Sequence, residues 1–242
     1  LFNNNFKKGK GDLYKSTDYS ADKSVTLLQK ASDGKGIDIV LVGDAFSDRL
    51  VADGTYDRVM RRAADHIFAE EPYKSYRELF NVYYVTAISE NEVYGQQSST
   101  AFSCYFVEEP MVGGDDYKVL TYGEKAIGAE RIDDALFVVI MNSSEHGGTC
   151  DMYVPSSTLY VPAYHNWGSG LTIAYSCLGD SDEYFAATLK HEACGHGFAR
   201  LADEYYMYNS VISESGINFY KSHEQYGWWK NIDFTGQPTQ VK

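Results

Sequence analysis

The sequence predicts an α/β domain: a twisted, mainly parallel mixed sheet with helices packed on it. Three observations predict this. Near-continuous apolar runs of strand length, rich in β-branched residues, lie at 36–43, 80–88 and 135–141. Such runs fit strands buried on both faces, as parallel sheets require. Between the first two runs the apolar period changes from strand-like to helical, and a crossover helix is what joins parallel neighbours.

Residues 1–36 carry Asn, Lys, Gly, Ser and Asp clusters with few apolar anchors, and are expected to be a lead-in or linker from an upstream domain. The strand at Gly36–Gly43 follows, with Asp44 at its carboxyl edge. From Thr55, Tyr56, Met60, Ala63, Ala64, Ile67 and Phe68 recur on one helical face, with Arg58, Arg61, Arg62 and Asp65 opposite; Pro72 marks the end. The second strand is 80–88. Residues 89–118, rich in Ser, Glu, Gln and Gly, read as a long functional loop, and 119–131 as a short helix. After the third strand at 135–141, short strands are expected at 159–163 and 171–175. A helix then starts near Asp182, capped by Asp180 or Ser181, with Glu183 three residues after Asp180 as in a capping box. No repeat or Pro/Gly-rich linker divides 37–242, so that range is expected to be one domain.

Thirty-four acidic against 21 basic residues give a formal net charge of −13 over 242 residues. A chain so acidic repels nucleic-acid phosphates and anionic head groups, which excludes both as partners. No run reaches the ~18 apolar residues of a membrane span. The first residue is Leu1 rather than Met, which fits a processed terminus. Four cysteines, at 104, 150, 177 and 194, permit three full pairings that sequence cannot rank, and none forms a CxxC pair.

The chemistry concentrates in 182–206, reading DEYFAATLKHEACGHGFARLADEYY. Phe185, Ala186, Leu189 and Ala193 form an apolar helical stripe, which places His191 and Glu192 on a helix. Two histidines with a glutamate on adjacent turns suit a metal-activated water with Glu as general base. In HExxH the histidines are four apart; here, in His191-Glu-Ala-Cys-Gly-His196, they are five apart. On an α-helix that separation turns the second imidazole about 140° away, against about 40° for four. The spacing therefore predicts a π-bulge, absorbed at Gly195, between the two histidines. A catalytic zinc takes three protein ligands plus water, so a third ligand is needed, and Asp203 or Glu204 can supply it. An unbroken helix would carry Asp203 about 10 Å along the axis from His196, so the chain must break near Gly197 and turn back.

These residues, with IDIVLVGDAF, EEPYKSYRELFNVYYV and the acidic loop before the histidine helix, resemble the IgA-peptidase family of bacterial zinc metallopeptidases over roughly residues 36–230. The resemblance implies a zincin-like catalytic domain with HExxxH on its active-site helix, zinc as cofactor and an exported bacterial protein, secreted, periplasmic or on the cell surface. It also implies a protein or peptide substrate, such as a host glycoprotein. It favours Asp203 over Glu204, because related zincins place the ligand Asp first in an Asp-Glu-Tyr run. The metal set becomes His191, His196 and Asp203, with Glu192 as base and Tyr205 or Tyr206 on the oxyanion. Metzincins have a methionine turn well after the third ligand; Met207 is too close, so the domain is expected to be incomplete at its C-terminus.

Other chemistry-bearing residues have plainer readings. His165 is expected to be structural, Trp228 and Trp229 to pack under the site, and Cys194 to be a small buried residue although it could close a structural zinc site. Asp44 and the run 180–183 lack calcium-loop spacing. The rival to a peptidase is a catalytically inactive zincin-fold module that binds a surface glycan or protein.

Overall fold

The structure is a computed structural model that describes residues 13–107, 110–153, 171–203 and 214–232. Its centre is a six-stranded sheet. The strands are β1 (Val25–Gln29), β2 (Ile37–Asp44), β3 (Phe80–Val85), β6 (Leu136–Met141), β7 (Gly148–Met152) and β8 (Thr172–Cys177), in the order β1-β3-β2-β6-β8-β7. β3, β2, β6 and β8 run parallel; the edge strands β1 and β7 run antiparallel to β3 and β8. The two-residue strands β4 (Tyr105–Phe106) and β5 (Val112–Gly113) pair inside the 89–118 loop.

Side chains alternate across each strand, so each continuous apolar run supplies two cores at once. Ile39, Leu41, Val138 and Ile140 face one side. There they meet Tyr56, Met60, Ala63 and Ile67 of α2 (Thr55–Ile67), which follows the short α1 (Asp48–Ala52). Phe185 and Leu189 of α4 (Asp182–Leu189) join the same core. Val40, Val42, Phe137, Val139 and Ile173 face the other side, where α3 (Asp116–Ile127) contributes Val119, Leu120 and Ile127. The final helix, α5 (Glu214–His223), buries no side chain fully.

Several expectations change. The lead-in expected over 1–36 is part of the domain from at least Tyr14. β1 pairs with β3, and the Asp48 carboxylate accepts from Tyr14 Oη at 2.6 Å and from the Thr17 and Asp18 amides at 2.8 and 2.9 Å. The segment was illegible because its contacts are polar and distant in sequence. α3 begins three residues before the expected 119, capped by the Asp115 side chain accepting from Lys118 N. Ser181, not Asp180, caps α4 by accepting from Tyr184 N at 3.1 Å, which leaves Glu183 out of capping-box register. The strand expected at 159–163 lies outside the described residues. Asp44 is wholly buried and accepts from Phe102 N at 2.7 Å, tying the long loop to the end of β2.

Candidate metal centre

The segment after α4 keeps winding but changes pitch. Lys190–Phe198 forms nine residues of π-helix rather than a single bulge. Each turn closes one residue later than in an α-helix, as in Ala199 N–H donating to Cys194 O at 3.0 Å. This winding brings residues five apart onto one face. Gly195 is not what permits it, since a Cβ there would lie 3.4 Å from Lys190 O, an ordinary contact. Gly197 is the tight position: a Cβ would come within 2.8 Å of Leu136 Cδ1, so the bare backbone lets the helix lie on β6. The break also falls later than expected, at Arg200, whose φ of +56° is left-handed. Leu201 N–H donates back to Gly195 O at 2.9 Å and closes the helix end.

Three donor atoms converge. His191 Nε2 and His196 Nε2 are 3.1 Å apart, and Asp203 Oδ1 lies 3.2 Å from each. Donors held about 2.0–2.1 Å from a tetrahedral ion are themselves about 3.3 Å apart, so this triangle matches one face of that tetrahedron, and among the described residues no further His, Cys, Asp or Glu joins it. Among the described residues it is the one group of three His, Cys, Asp or Glu side chains close enough to share a metal ion. His196 Nδ1–H donates to Leu201 O at 2.6 Å, which fixes the tautomer and frees Nε2. Burial, then the neighbouring His196, pushes the His191 pKa down, against the pull of Asp203. The net shift favours the neutral imidazole, the form that binds metal. The triad opens onto a depression of about 770 Å³ whose lining includes Glu183, Ala187, Lys190 and Asn231.

Glu192 belongs to the same turn but points elsewhere. It is 7% exposed and rests against Gly148 of β7, where a Cβ would sit 2.6 Å from Glu192 Oε1. Glycine at 148 thus gives the carboxylate its place between the histidine-bearing turn and the edge strand. Burial, then the charges of Asp203 and Asp151, raise its pKa to about 8. The carboxylate stands beside the donors yet outside the donor group, a place from which it can exchange a proton with a group held there.

The return of Asp203 depends on residues the sequence did not single out. Asn231 brackets the preceding residue: Ala202 N–H donates to Asn231 Oδ1 at 2.9 Å, and Asn231 Nδ2 donates to Ala202 O at 2.8 Å. Trp229 N–H donates to Arg200 O at 2.7 Å, and Trp228 and Trp229 are buried. Trp229 also packs on Phe219 and Tyr220 of α5. The tryptophan pair was visible as an anchor, but nothing in the sequence marks Asn231 among the other asparagines. Asn231→Ala should weaken metal binding about tenfold, the scale of a lost outer partner. Competition titration against a chromophoric chelator reads this, and an unchanged affinity would show that the clamp does not govern Asp203.

Cys194 is buried and its carbonyl lies inside the π segment; its thiol stays outside the donor group, so it does not close the fourth position. Burial raises its thiol pKa to about 12. All four cysteines are free thiols. His165, Glu204, Tyr205, Tyr206 and Met207 lie outside the described residues. No helix of the described residues is long and apolar enough to cross a membrane.

A search of curated proteins finds no match to the chain. The family model for IgA peptidase M64 matches residues 25–242, a range that takes in β1, the whole sheet and the His191–Asp203 turn. The chain therefore belongs to the IgA peptidase M64 family, and is a peptidase of a metal-dependent family acting on proteins or peptides.

Proposed function

We propose that the chain is a zinc-dependent endopeptidase in which His191, His196 and Asp203 hold the metal and Glu192 is the general base. The observation that carries the reading is the triangle of donor atoms 3.1–3.2 Å on edge, with two imidazoles and one carboxylate. That donor set, with no fourth protein donor among the described residues, suits a catalytic zinc. A zinc ion held by these three residues would supply a water acidified toward a pKa of ~7. Glu192 would hold on its carboxylate the proton that the attacking water gives up and return it to the leaving nitrogen. Tyr205 is the proposed donor to the oxyanion, following the family resemblance.

The depression beside the donor triangle, lined by Ala187, Lys190 and Asn231 among others, is the place proposed for the peptide substrate. An exported bacterial location and a host glycoprotein substrate rest on the family alone.

Metal analysis of the purified protein, with hydrolysis of casein and of immunoglobulin A before and after chelation, tests the reading. Near-stoichiometric zinc, activity lost to chelator and activity restored by zinc are the expected results. Bound zinc without turnover of any protein would favour the non-catalytic binding module instead.

A further inference from the structure

The two histidines converge only because the turn that carries them is π-wound, and something outside the turn must favour that winding. A π-helix is rare, and the same residues wound as an α-helix would close each turn one residue earlier. The change would swing His196 about 100° relative to His191 and dissolve the donor triangle. The winding is therefore a condition of metal binding, set by the contacts around it.

The loop after α2 supplies those contacts. Tyr73 Oη donates to Cys194 O at 2.6 Å across 121 residues of sequence. Cys194 lies inside the turn, between the two histidines, and its carbonyl already accepts from Ala199 N–H; the phenol takes its second lone pair. The Tyr73 ring also packs edge-on against Phe198, the last π-wound residue, with centroids 5.5 Å apart. Phe80 of β3 backs both rings, at 6.5 Å from Tyr73 and 5.3 Å from Phe198. One residue thus grips the π segment at its middle and at its end. A second contact, Glu70 with Lys190 at the start of the segment, is an exposed ion pair of little energetic weight.

We propose that Tyr73 is a positioning residue of the metal centre: its hydroxyl, donated to the Cys194 carbonyl, holds the π winding in which His191 and His196 face one point. Return to α winding would carry the Cys194 carbonyl away from the phenol, because Cys194 lies within the turn that changes. The hydrogen bond therefore favours the metal-binding form specifically.

The inference rests on the metal site proposed above, and the test separates the two. The apparent metal dissociation constant is measured by zinc competition titration on the parent, Tyr73→Phe, Glu70→Gln and Tyr84→Phe. Tyr84 lies on the sheet and donates to Asp57 at 2.9 Å, so its variant loses a phenol hydrogen bond away from the turn. Tyr73→Phe should weaken zinc about three- to tenfold, the worth of one net hydrogen bond. The two control variants should bind zinc as the parent does. The visible absorption of the cobalt-loaded protein should change in Tyr73→Phe alone. Parent-like affinity and spectrum in Tyr73→Phe overturn this inference while leaving the metal site standing. A parent that binds no zinc overturns both. If Tyr73→Phe does not fold, 3-fluorotyrosine placed at position 73 keeps the hydroxyl and strengthens it as a donor; tighter zinc supports the proposal and unchanged affinity overturns it.

Discussion

Replacing Glu192 by Gln is expected to lower kcat/KM about 10²–10⁴-fold while leaving zinc stoichiometry at the parent value. The amide keeps the size of the side chain and its place against Gly148, but cannot accept the proton of the attacking water. Because Glu192 stands outside the donor group, no ligand is lost. Activity within about tenfold of the parent would remove Glu192 from the role of base. The same substitution has a second readout in the metal-free protein. Burial, Asp203 and Asp151 raise the folded pKa of Glu192 to about 8 from the ordinary 4.5. A folded pKa above the unfolded one means that the folded state binds the extra proton, so this contribution to stability is fully present below pH 4.5 and is lost as pH rises through 8. The amide side chain of the variant does not titrate. The metal-free variant should therefore gain on the metal-free parent as pH rises from 5 to 9, by an amount on the order of a few kcal/mol. Parallel melting temperatures across that range would show that Glu192 is not buried as a charge.

Asp203→Ala should strip the metal, taking stoichiometry from near one to near zero in dialysed protein and abolishing activity with it. Asp203 Oδ1 stands 3.2 Å from both histidine nitrogens, and two imidazoles alone leave a catalytic zinc one protein ligand short. Asp203→Asn separates charge from shape: it keeps a neutral oxygen donor and should hold zinc only weakly. Glu204→Ala should cost about 10–100-fold in affinity, the scale of an outer partner that orients a ligand. Metal analysis by mass spectrometry decides among these. Loss of metal in Glu204→Ala but not in Asp203→Ala would exchange the two assignments.

The sheet was legible because local composition carries it. The runs ending in β2, β3 and β6 are apolar on both faces, and only a strand covered on both sides has use for such a run. β1 was missed for the same reason: as an edge strand with an exposed side it is half polar, and its partner lies more than 50 residues downstream. The two histidines that converge were legible too, from residue type and spacing, whereas Asp203 was separated from Glu204 only by the family resemblance. A five-residue separation on an α-helix cannot bring two imidazoles together, so the sequence itself demanded a change of winding.

Sequence by itself therefore determined the parallel α/β core, the pair of histidines, the need for a carboxylate from 203–204, and the need for a wider turn between the histidines. Only the tertiary structure decided how wide that turn is, where it ends and what holds it. The π winding spans nine residues and stops at a left-handed Arg200, not at Gly197. Tyr73 grips it from 121 residues away, and Asn231 brackets Ala202 from 29 residues downstream so that Asp203 meets the histidines. The physical reason is the range of the interactions. Periodicity and ligand chemistry act within a turn or two of one helix and leave their mark on neighbouring letters. A single hydrogen bond from a tyrosine or an asparagine elsewhere in the chain has no local signature, and exists only once the sheet has brought the segments together.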